Sequence, residues 1–423
     1  MLKTIRLTCV IFAIAACTSN FAHAGNQAEA LMLEQLFDAT AASYPSLIAA
    51  KIEAQASTED VVAMERIRWP AVSATIESYT GNARSIPSRG VQVDQTVWDF
   101  GRNTAKISES QLSADISLLK TYLQQQDVFL QVTAAWQNMI AANERLKVAK
   151  LTVNRLKNYQ SQMRRRVDAE ASARIDLELA DSRLLQTEVE KTTAENNLEV
   201  ALMRLEQFSG LSHLSKRVQD ARYSVTVFET QSFNEKLKGV DWRVIANSHP
   251  VAAKARIEVV QLQKRLDAKK AEALPQIFVR VYKPMGEIAT NSDTSTTAFL
   301  GLRYAPGAGL STYAEAKAIG TRITSAEQSV EAAIREMQQT LQSDHEEFLK
   351  ARIRLGALEK SVASSALVLE SYQRQFQAGR KQWQDLLNQV RELAQNQYAL
   401  ADVQASMVGS MYRLQIRMGL DPK

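Results

Sequence analysis

Hydrophobic residues recur at helical spacing along most of the chain. Over residues 102–167, Leu112, Ile116, Leu119 and Leu123 mark one face at steps of three or four, and neither Pro nor Gly interrupts the pattern. Such periodicity predicts one long helix. A helix of this length spans about 100 Å at 1.5 Å per residue. It cannot bury its own apolar face, so other helices must pack beside it.

Two short stretches depart from the helical pattern, at 70–100 and at 275–305. Each opens at a Pro, alternates apolar and polar residues, and contains a polar, turn-prone segment, at 80–89 and 283–296 respectively. Period-two alternation between Pro and Gly punctuation predicts a pair of β-strands joined by a loop. The alternating residues of the first pair are Val72, Ala74 and Ile76, followed by Val91, Val93 and Val97.

The two strand pairs lie at matching places in two similar halves. Ser43-Tyr44-Pro45 is followed 205 residues later by Ser248-His249-Pro250, and Asp176 is followed 209 residues later by Asp385. Pairing Tyr159 with Tyr372 gives an offset of 213. The sequence therefore predicts an internal duplication, with about four extra residues at the helix–helix turn of the first half.

The duplication defines a predicted domain organisation in which each repeat begins with a helix. The predicted segments are a signal peptide over 1–24; a first repeat over 25–215, with strand pair 70–100, long helix 102–167 and helix 174–208; a linker or equatorial segment over 216–240; and a second repeat over 241–423, with strand pair 275–305, long helix 310–378 and helix 382–418.

The strands need partners that one chain does not supply. Two short hairpins leave their outer edges unpaired, and in a bilayer only a closed barrel satisfies every strand. Strands of this length can cross an outer membrane when they are tilted. Beyond residue 25 there is no apolar run of 18 residues or more. The sequence therefore predicts a barrel that several copies close together.

The amino terminus reads as an export signal. Lys3 and Arg6 precede an apolar run, and Ala22-His23-Ala24 is a small-x-small cleavage site. The alternative is a lipobox ending at Cys17, which would make that cysteine a lipidated first residue. Both cysteines, Cys9 and Cys17, lie within this segment. A chain beginning at Gly25 therefore has neither a disulfide nor a thiol ligand for a metal.

Composition and motifs predict no catalytic residue, no cofactor site and no metal site. His213, His249 and His345 are far apart and lack ligand-type neighbours at helical spacing. The formal charge is +5 over 423 residues, and the basic residues are scattered along helices. That distribution is typical of solvated faces, and no nucleic acid is expected as a partner. The chain is not expected to be an enzyme.

The last helical hairpin carries a family resemblance. Residues 372–388 read YQRQFQAGRKQWQDLLN, with a Gly-containing turn followed by an Asp-Leu-Leu step. Supporting features are the strand-to-helix step at Trp98-Asp99-Phe100-Gly101 and the two Pro-opened strands. In their order and duplication, these features resemble the TolC family of outer-membrane efflux and type I secretion channels. The resemblance extends over residues 28–420.

The resemblance implies a mainly α fold with a small β part. Long coiled-coil-like hairpins would form an α-helical barrel, and a transmembrane β-barrel would be closed by three protomers with four strands each. Such a homotrimer would be embedded in the outer-membrane lipid of a Gram-negative bacterium and would extend into the periplasm. Its implied partners are a periplasmic adaptor (membrane fusion) protein and an inner-membrane ABC exporter or proton-driven pump.

The resemblance also implies roles for individual residues at the periplasmic tip. Polar links and acidic rings close the tip in this family, so Asp176 and Lys381 are expected to link neighbouring hairpins and to hold the resting tip closed. The expected gate and pore-lining residues are Asp176, Phe376, Lys381, Asp385 and Asn388. The expected turn and adaptor-contact residues are Asp168, Ala171, Ser172, Gly379 and Arg380. The expected membrane-interface aromatics are Trp69, Trp98 and Tyr304.

The resulting functional hypothesis is the exit duct of a tripartite export system. The longer, Gly-free first turn and the weak lipobox favour type I secretion of a protein such as an adhesin. The alternative within the same class is the outer-membrane component of a drug efflux pump. The alternative from another class is a periplasmic coiled-coil scaffold, which would leave the membrane without detergent.

Overall fold

The protein is mainly helical, with one small sheet. The computed structural model describes residues 30–80, 85–215, 227–285, 295–305 and 307–420. The signal segment predicted over 1–24 lies outside these ranges. Within them the helices and the sheet confirm the predicted class, mainly α with a small β part. No helix of the described residues is both long and apolar enough to cross a membrane.

The two halves of the chain contain the same elements in the same order. The first half contains α1 (Ala30–Ser43), α2 (Pro45–Glu65), β1 (Ala71–Thr80), β2 (Ser85–Trp98), α3 (Arg102–Asp168) and α4 (Arg174–Ser209). The connecting segment contributes α5 (Val227–Lys236). The second half contains α6 (Trp242–Ser248), α7 (Pro250–Glu272), β3 (Gln276–Pro284), β4 (Thr297–Arg303), α8 (Ser311–Gln377) and α9 (Trp383–Arg417).

The long helices set the dimensions of the molecule. α3 and α8 contain 67 residues each, which corresponds to about 100 Å at 1.5 Å per residue. The helices beside them are shorter and begin at defined signals. Pro45 and Pro250 stand in the first turn of α2 and α7, where the missing N–H of proline costs no hydrogen bond.

In the half of the molecule away from the sheet, four helices lie side by side in the order α4, α3, α9, α8. The chain runs away from the sheet along α3 and α8 and returns along α4 and α9, so neighbouring helices are antiparallel. α2 and α7 pack beside α3 nearer the sheet, and α7 also packs on α8. The row consequently has two outer helices, α4 and α8.

Apolar side chains form three buried clusters along the helices. One joins α1 and α2 to α3, α4 and α9, a second joins the hairpins near their turns, and a third joins α8 and α9. The third cluster also includes Phe233 of α5 and Leu237, which follows that helix. The centroid of the Phe233 ring lies 5.5 Å from that of Phe348 on α8. The segment predicted as a linker over 216–240 therefore contributes a helix and a following residue to the core.

A buried ionic network joins the long helix α8 to the shorter α9. Asp344 of α8 is 7% exposed and contacts the guanidinium groups of Arg413 and Arg417 from α9. Arg413 also donates to Glu347 at 2.7 Å and to Gln137 of α3 at 3.0 Å. Because buried charges need full hydrogen bonding, this network fixes α3, α8 and α9 in one arrangement.

The four strands form one antiparallel sheet in the order β1-β2-β3-β4. β2 begins at Ser85, not at Val91 as the alternation predicts, so the loop predicted over 80–89 is shorter. The prediction begins the strand after Pro87 because proline usually interrupts a strand. Among the described residues, pairing of β2 with β3 begins at Gly90, so the described neighbour of Pro87 is β1 alone, and proline is tolerated at such edges.

The repeat register corrects the prediction of a longer first turn. α3 and α8 begin 209 residues apart, and so do α4 and α9. The two turns therefore have equal length, at 169–173 and 378–382. Pairing Tyr159 with Tyr372 was wrong, since the counterpart of Tyr159 at this offset is Val368. β1 and β3 begin 205 residues apart, so the four extra residues lie in the second half, between the start of β3 and α8.

Candidate functional site: the helical tip and the faces of the sheet

The two helix–helix turns at the end of the row have the same backbone. Ala171 N donates to Arg166 O and Arg380 N to Gln375 O, each at 2.8 Å. Glu170 and Gly379 hold the same left-handed position, with φ of 58° and 71°. That conformation costs an L-residue with a side chain about 1–2 kcal/mol, so the first turn adopts the same shape with the less suitable residue.

Trp383 fastens the two hairpins to each other. Its indole N–H donates to the backbone oxygen of Asp176 at 2.9 Å, and its ring centroid lies 6.0 Å from that of Tyr159 and 5.1 Å from that of Phe376. The side chain is 5% exposed. No role was assigned to this residue from the sequence. The available signal was a lone Trp at the start of α9, where the first hairpin has Arg174.

The predicted gate residues Lys381 and Asp385 pair with each other. Lys381 Nζ lies 3.3 Å from Asp385 Oδ2 and 4.4 Å from the centroid of the Tyr372 ring. The hydrogen bond with the Asp385 carboxylate raises the pKa of Lys381. Within the protomer, Lys381 thus pairs across the start of α9 with Asp385 and not with Asp176, the partner expected from the family resemblance.

Asp176 lies at the edge of a groove between the hairpins. The groove has a volume of about 650 Å³, and its lining includes Met163, Ser172, Phe376 and Trp383. No ion pair or hydrogen bond of the Asp176 carboxylate is found in the described part of the chain. Its place in the first turn of α4 suits a negative charge, because the helix N-terminus is partially positive.

The remaining predicted tip residues occupy distinct positions. Phe376 is half-buried, with the Arg166 guanidinium 4.9 Å from its ring centroid. Asn388 is exposed on α9. Among the predicted turn residues, Ser172 is half-buried and the others are exposed; these are Asp168, Ala171, Gly379 and Arg380. The structure thus gathers the predicted residues at one end of the helical row, on the two turns and the helix ends beside them.

The sheet presents one apolar and one polar face. Since facing residues of paired strands share a face and successive residues alternate, the register assigns each side chain. The apolar face contains Val72, Ala74, Ile76, Val91, Val93, Ile277, Val279, Val281, Ala298, Leu300 and Leu302. Several of these side chains are largely exposed, among them Ile76 at 75% and Leu300 at 71%. An exposed apolar sheet face of this kind is a contact surface for lipid or protein.

The polar face is held by an ion pair across two strands. Arg280 Nε lies 2.5 Å from Asp94 Oδ1, and Arg280 Nη2 lies 3.2 Å from Asp94 Oδ2. The Arg280 guanidinium also lies 5.3 Å from the ring centroid of Phe278. The Phe278 ring in turn covers Gly301, where a Cβ would lie 2.5 Å from a ring carbon. The alternation of polar and apolar faces is the pattern of strands between water and lipid.

The three predicted interface aromatics lie at the end of the sheet nearest the helices. Trp69 precedes β1, Trp98 ends β2 and Tyr304 follows β4. Their side chains are more than half exposed.

Among the described residues, no group of His, Cys, Asp and Glu side chains is arranged to hold a metal ion.

The fold is similar to that of solved membrane-protein structures, several of them outer-membrane channels. A membrane protein from Pseudomonas aeruginosa superposes with a TM-score of 0.79 at 16% identity, covering 92% of this chain and 90% of its own. CusC superposes with a TM-score of 0.77 at 14% identity, and the match covers 92% of both chains. The open state of the Neisseria gonorrhoeae MtrE outer-membrane channel gives 0.74 at 14% identity, covering 92% and 89%.

Sequence comparison matches part of the chain to a family model. Residues 36–211 match the model of the family described as outer membrane efflux protein. No curated protein sequence matches the chain. The resemblance stated from the sequence is confirmed by the family match over the first half and by the channel fold over both halves.

Proposed function

We propose that the protein is the outer-membrane exit duct of a tripartite export system and that three copies form the duct. The observation that carries the proposal is that both parts of the protomer end in open edges. β1 and β4 are the outer strands of the described sheet, and α4 and α8 are the outer helices of the row. Open strand edges require partners, and a second copy supplies matching edges in both places at once.

The outer helix α4 supports this reading with an exposed apolar stripe. Leu185, Val189, Val200 and Met203 fall within about 60° of one another at 100° per residue, and they are 50–66% exposed. On α8, Ile353 and Leu367 are 74% and 67% exposed. Unpartnered apolar stripes on both outer helices suit helix-to-helix packing between protomers.

The sheet supports placement in the outer membrane. Four strands from each of three copies give twelve, an even number within the range of outer-membrane barrels. The apolar face would contact lipid and the polar face, with the Asp94–Arg280 pair, would line the water-filled interior. The helical tube would extend about 100 Å into the periplasm and end at the tip groove, where an adaptor protein would dock. The protein would move its cargo without chemistry of its own.

A duct of this kind can serve either of two cargo classes, secreted proteins or small molecules. The preference for type I secretion rested partly on a longer first turn, and the two turns have equal length. Both branches stay within the proposal: an ABC exporter with a secreted protein, or a proton-driven pump with small molecules. Deleting the gene and scoring secreted protein against drug sensitivity separates them. Loss of neither would contradict the export role.

The test of the duct itself is electron microscopy of the detergent-extracted protein. We expect a three-fold particle with a shaft of about 100 Å, as the length of α3 and α8 requires. A monomeric rod that fractionates without detergent would instead support the periplasmic scaffold. A paired substitution tests the interface: Leu185→Glu on the outer helix α4 should dissociate the trimer. Leu151→Glu on α3 is the control, since both side chains are 62% exposed.

Within this duct, Asp176 is the proposed gate residue at the tip. Its carboxylate lies at the groove edge while Lys381 of the second turn pairs with Asp385 in the first turn of α9, so a link from Asp176 would reach a basic group of a neighbouring protomer. Asp176→Ala should raise single-channel conductance and antibiotic leakage. Asp168→Ala, at an exposed position on the first turn, should change neither. Unchanged leakage in Asp176→Ala would remove the gate role and leave the duct intact.

A further inference from the structure

The apolar face of the sheet is bounded differently at its two ends. At the end nearest the helices lie two exposed aromatic residues, Trp98, which faces Ile277, and Tyr304, which follows Leu302 by two residues. At the opposite end the same face carries two cations, Arg89 on β2 and Lys283 on β3, with Ile76 facing Arg89 from β1. Both cationic side chains are exposed. A face with aromatics at one boundary and cations at the other is matched to two different headgroup regions.

The register places the two cations next to each other. Lys283 faces Val91 on β2, and Arg89 lies two residues before Val91 on that strand, so both side chains emerge from the apolar face. Met285 N donates to Arg89 O at 2.7 Å, which holds the strands together at this point. Diagonal neighbours across antiparallel strands are about 7–8 Å apart, a separation that lets two long basic side chains reach one phosphate-bearing headgroup.

The height of the pair matches the far boundary of an outer membrane. Arg89 lies nine residues from Trp98, about 30 Å along an extended strand. At a strand tilt of about 40° that length corresponds to about 23 Å along the membrane normal, close to the apolar band of about 25 Å in outer-membrane barrels. If the aromatic end lies at the periplasmic boundary, as the proposed function requires, Arg89 and Lys283 lie at the outer headgroups.

No carboxylate among the described side chains neutralises this pair. Within the described side chains, neither Arg89 nor Lys283 forms an ion pair. The nearest described carboxylate on this part of the sheet is that of Asp94, which is on the polar face and bound to Arg280. A guanidinium and an ammonium on a lipid-facing surface require anionic partners from the membrane.

We propose that Arg89 and Lys283 form a binding site for the phosphate groups of the anionic glycolipid of the outer leaflet. The guanidinium can bind a phosphate through two parallel hydrogen bonds, and the flexible ammonium contributes a point charge beside it. The apolar residues below the pair, among them Val91 and Val281, receive the acyl chains. This inference rests on the proposed function, because it takes the apolar face to be the lipid face.

The test uses the purified full-length trimer in a zwitterionic detergent and measures lipid A binding by native mass spectrometry. We expect diphosphorylated lipid A to bind and dephosphorylated lipid A to bind more weakly. The variant R89Q/K283Q should lose about 30-fold in affinity for the phosphorylated form, equivalent to about 1 kcal/mol for each basic residue at an anionic surface. Millimolar inorganic phosphate should not compete, because it lacks the acyl chains.

Two controls keep the result interpretable. K236Q/K238Q removes two exposed lysines near the end of α5, far from the sheet, and should bind lipid A as the unmodified protein does. R89K/K283R keeps both charges and should retain most of the affinity. Equal binding of phosphorylated and dephosphorylated lipid A, or unchanged binding by R89Q/K283Q, would overturn the site. Because the assay begins with a trimer already seen by microscopy, either result would leave the proposed duct standing, whereas absence of a trimer would remove both.

Discussion

The helices α4 and α9 are the same element of two repeats, yet they meet different surroundings. α9 lies inside the helical row between α3 and α8, whereas α4 lies at its edge. Leu185 of α4 is 62% exposed, while its counterpart 209 residues later, Ala394, is buried. Val200 is half exposed, while its counterpart Gly409 contacts Gln137. Position in the row, and not descent from a common repeat, decides which face of each helix is buried.

Removing the tryptophan that α9 has and α4 lacks should give the largest difference between the repeats. Trp383→Ala deletes a buried ring and its hydrogen bond to Asp176 O, and we expect a loss of about 3–5 kcal/mol. Thermal unfolding of the detergent-purified protein measures the loss. Hydrogen exchange should place it near the turns, where Trp383, Tyr159 and Phe376 pack together.

The matched control is Arg174→Ala, the same position in the first repeat. Arg174 is exposed, and its ion pair with Glu178 spans 3.8 Å, so we expect a change within about 0.5 kcal/mol. Similar losses in the two variants would contradict the view that Trp383 joins the two hairpins and that Arg174, at the equivalent position, does not.

A second contrast concerns the close approach of α9 to α3. A Cβ at Gly409 would lie 2.0 Å from Gln137 Oε1, and Gln137 accepts a hydrogen bond from Arg413. Gly409→Ala should therefore displace Gln137 and cost about 1–3 kcal/mol, despite the higher helix propensity of alanine. Thermal unfolding measures the cost.

Gly320→Ala separates the close contact from helix propensity. No atom lies within 4 Å of a Cβ built at this position, so the substitution should stabilise the protein by up to about 1 kcal/mol. Changes of the same sign in both variants would show that the contact with Gln137 does not limit Gly409.

Sequence alone was sufficient for the elements because their signals are local. The long helices lack Pro and Gly between their ends in the first repeat, and the strand pairs open at Pro70 and Pro275. The sequence did not predict that β2 begins at Ser85, because whether Pro87 interrupts a strand depends on the neighbouring strands at that point. It also failed for Tyr159 and Tyr372, since identical residues in two repeats need not hold equivalent positions.

The candidate site was predictable in place but not in pairing. Residues at helix ends on either side of a turn must gather at one end of a hairpin, so the positions of Asp176 and Lys381 followed from the elements. Which carboxylate Lys381 meets depends on side-chain geometry where the second turn enters α9, because Asp385 is only four residues away. The packing of the Trp383 side chain depends on contacts with α3 and α4, which are distant from it in sequence.

A third contrast sets the two turns against each other. Gly379→Ala places a Cβ at φ 71° and should cost about 1–2 kcal/mol. Glu170→Gly relieves the same conformation in the first turn and should stabilise by up to about 1 kcal/mol. Opposite signs in thermal unfolding are the expected result. Destabilisation by both variants would indicate that the Glu170 side chain, and not the backbone, holds the first turn.

The smallest contrast lies at the start of α2 and α7, where Tyr44 and His249 precede equivalent prolines. His249 Nδ1 accepts a hydrogen bond from Val251 N at 3.3 Å, whereas Tyr44 provides no side-chain cap. Burial lowers the pKa of His249; the hydrogen bond with the Arg417 backbone opposes this lowering, and the charge of Arg417 adds to it. The unfolded chain therefore takes up a proton near pH 6.5 before the native protein does, and stability should fall as the pH falls from about 6.5 towards the lowered pKa.

The substitution His249→Asn tests this pH dependence without removing the cap. Asn accepts the same kind of hydrogen bond at a helix start but does not titrate, so the loss of stability between pH 7 and pH 5 should become smaller. His213→Asn, at an exposed position, should leave the loss unchanged. An unaltered pH profile in His249→Asn would show that the imidazole remains uncharged or equally solvated on unfolding, and that burial at this cap has no linkage to stability.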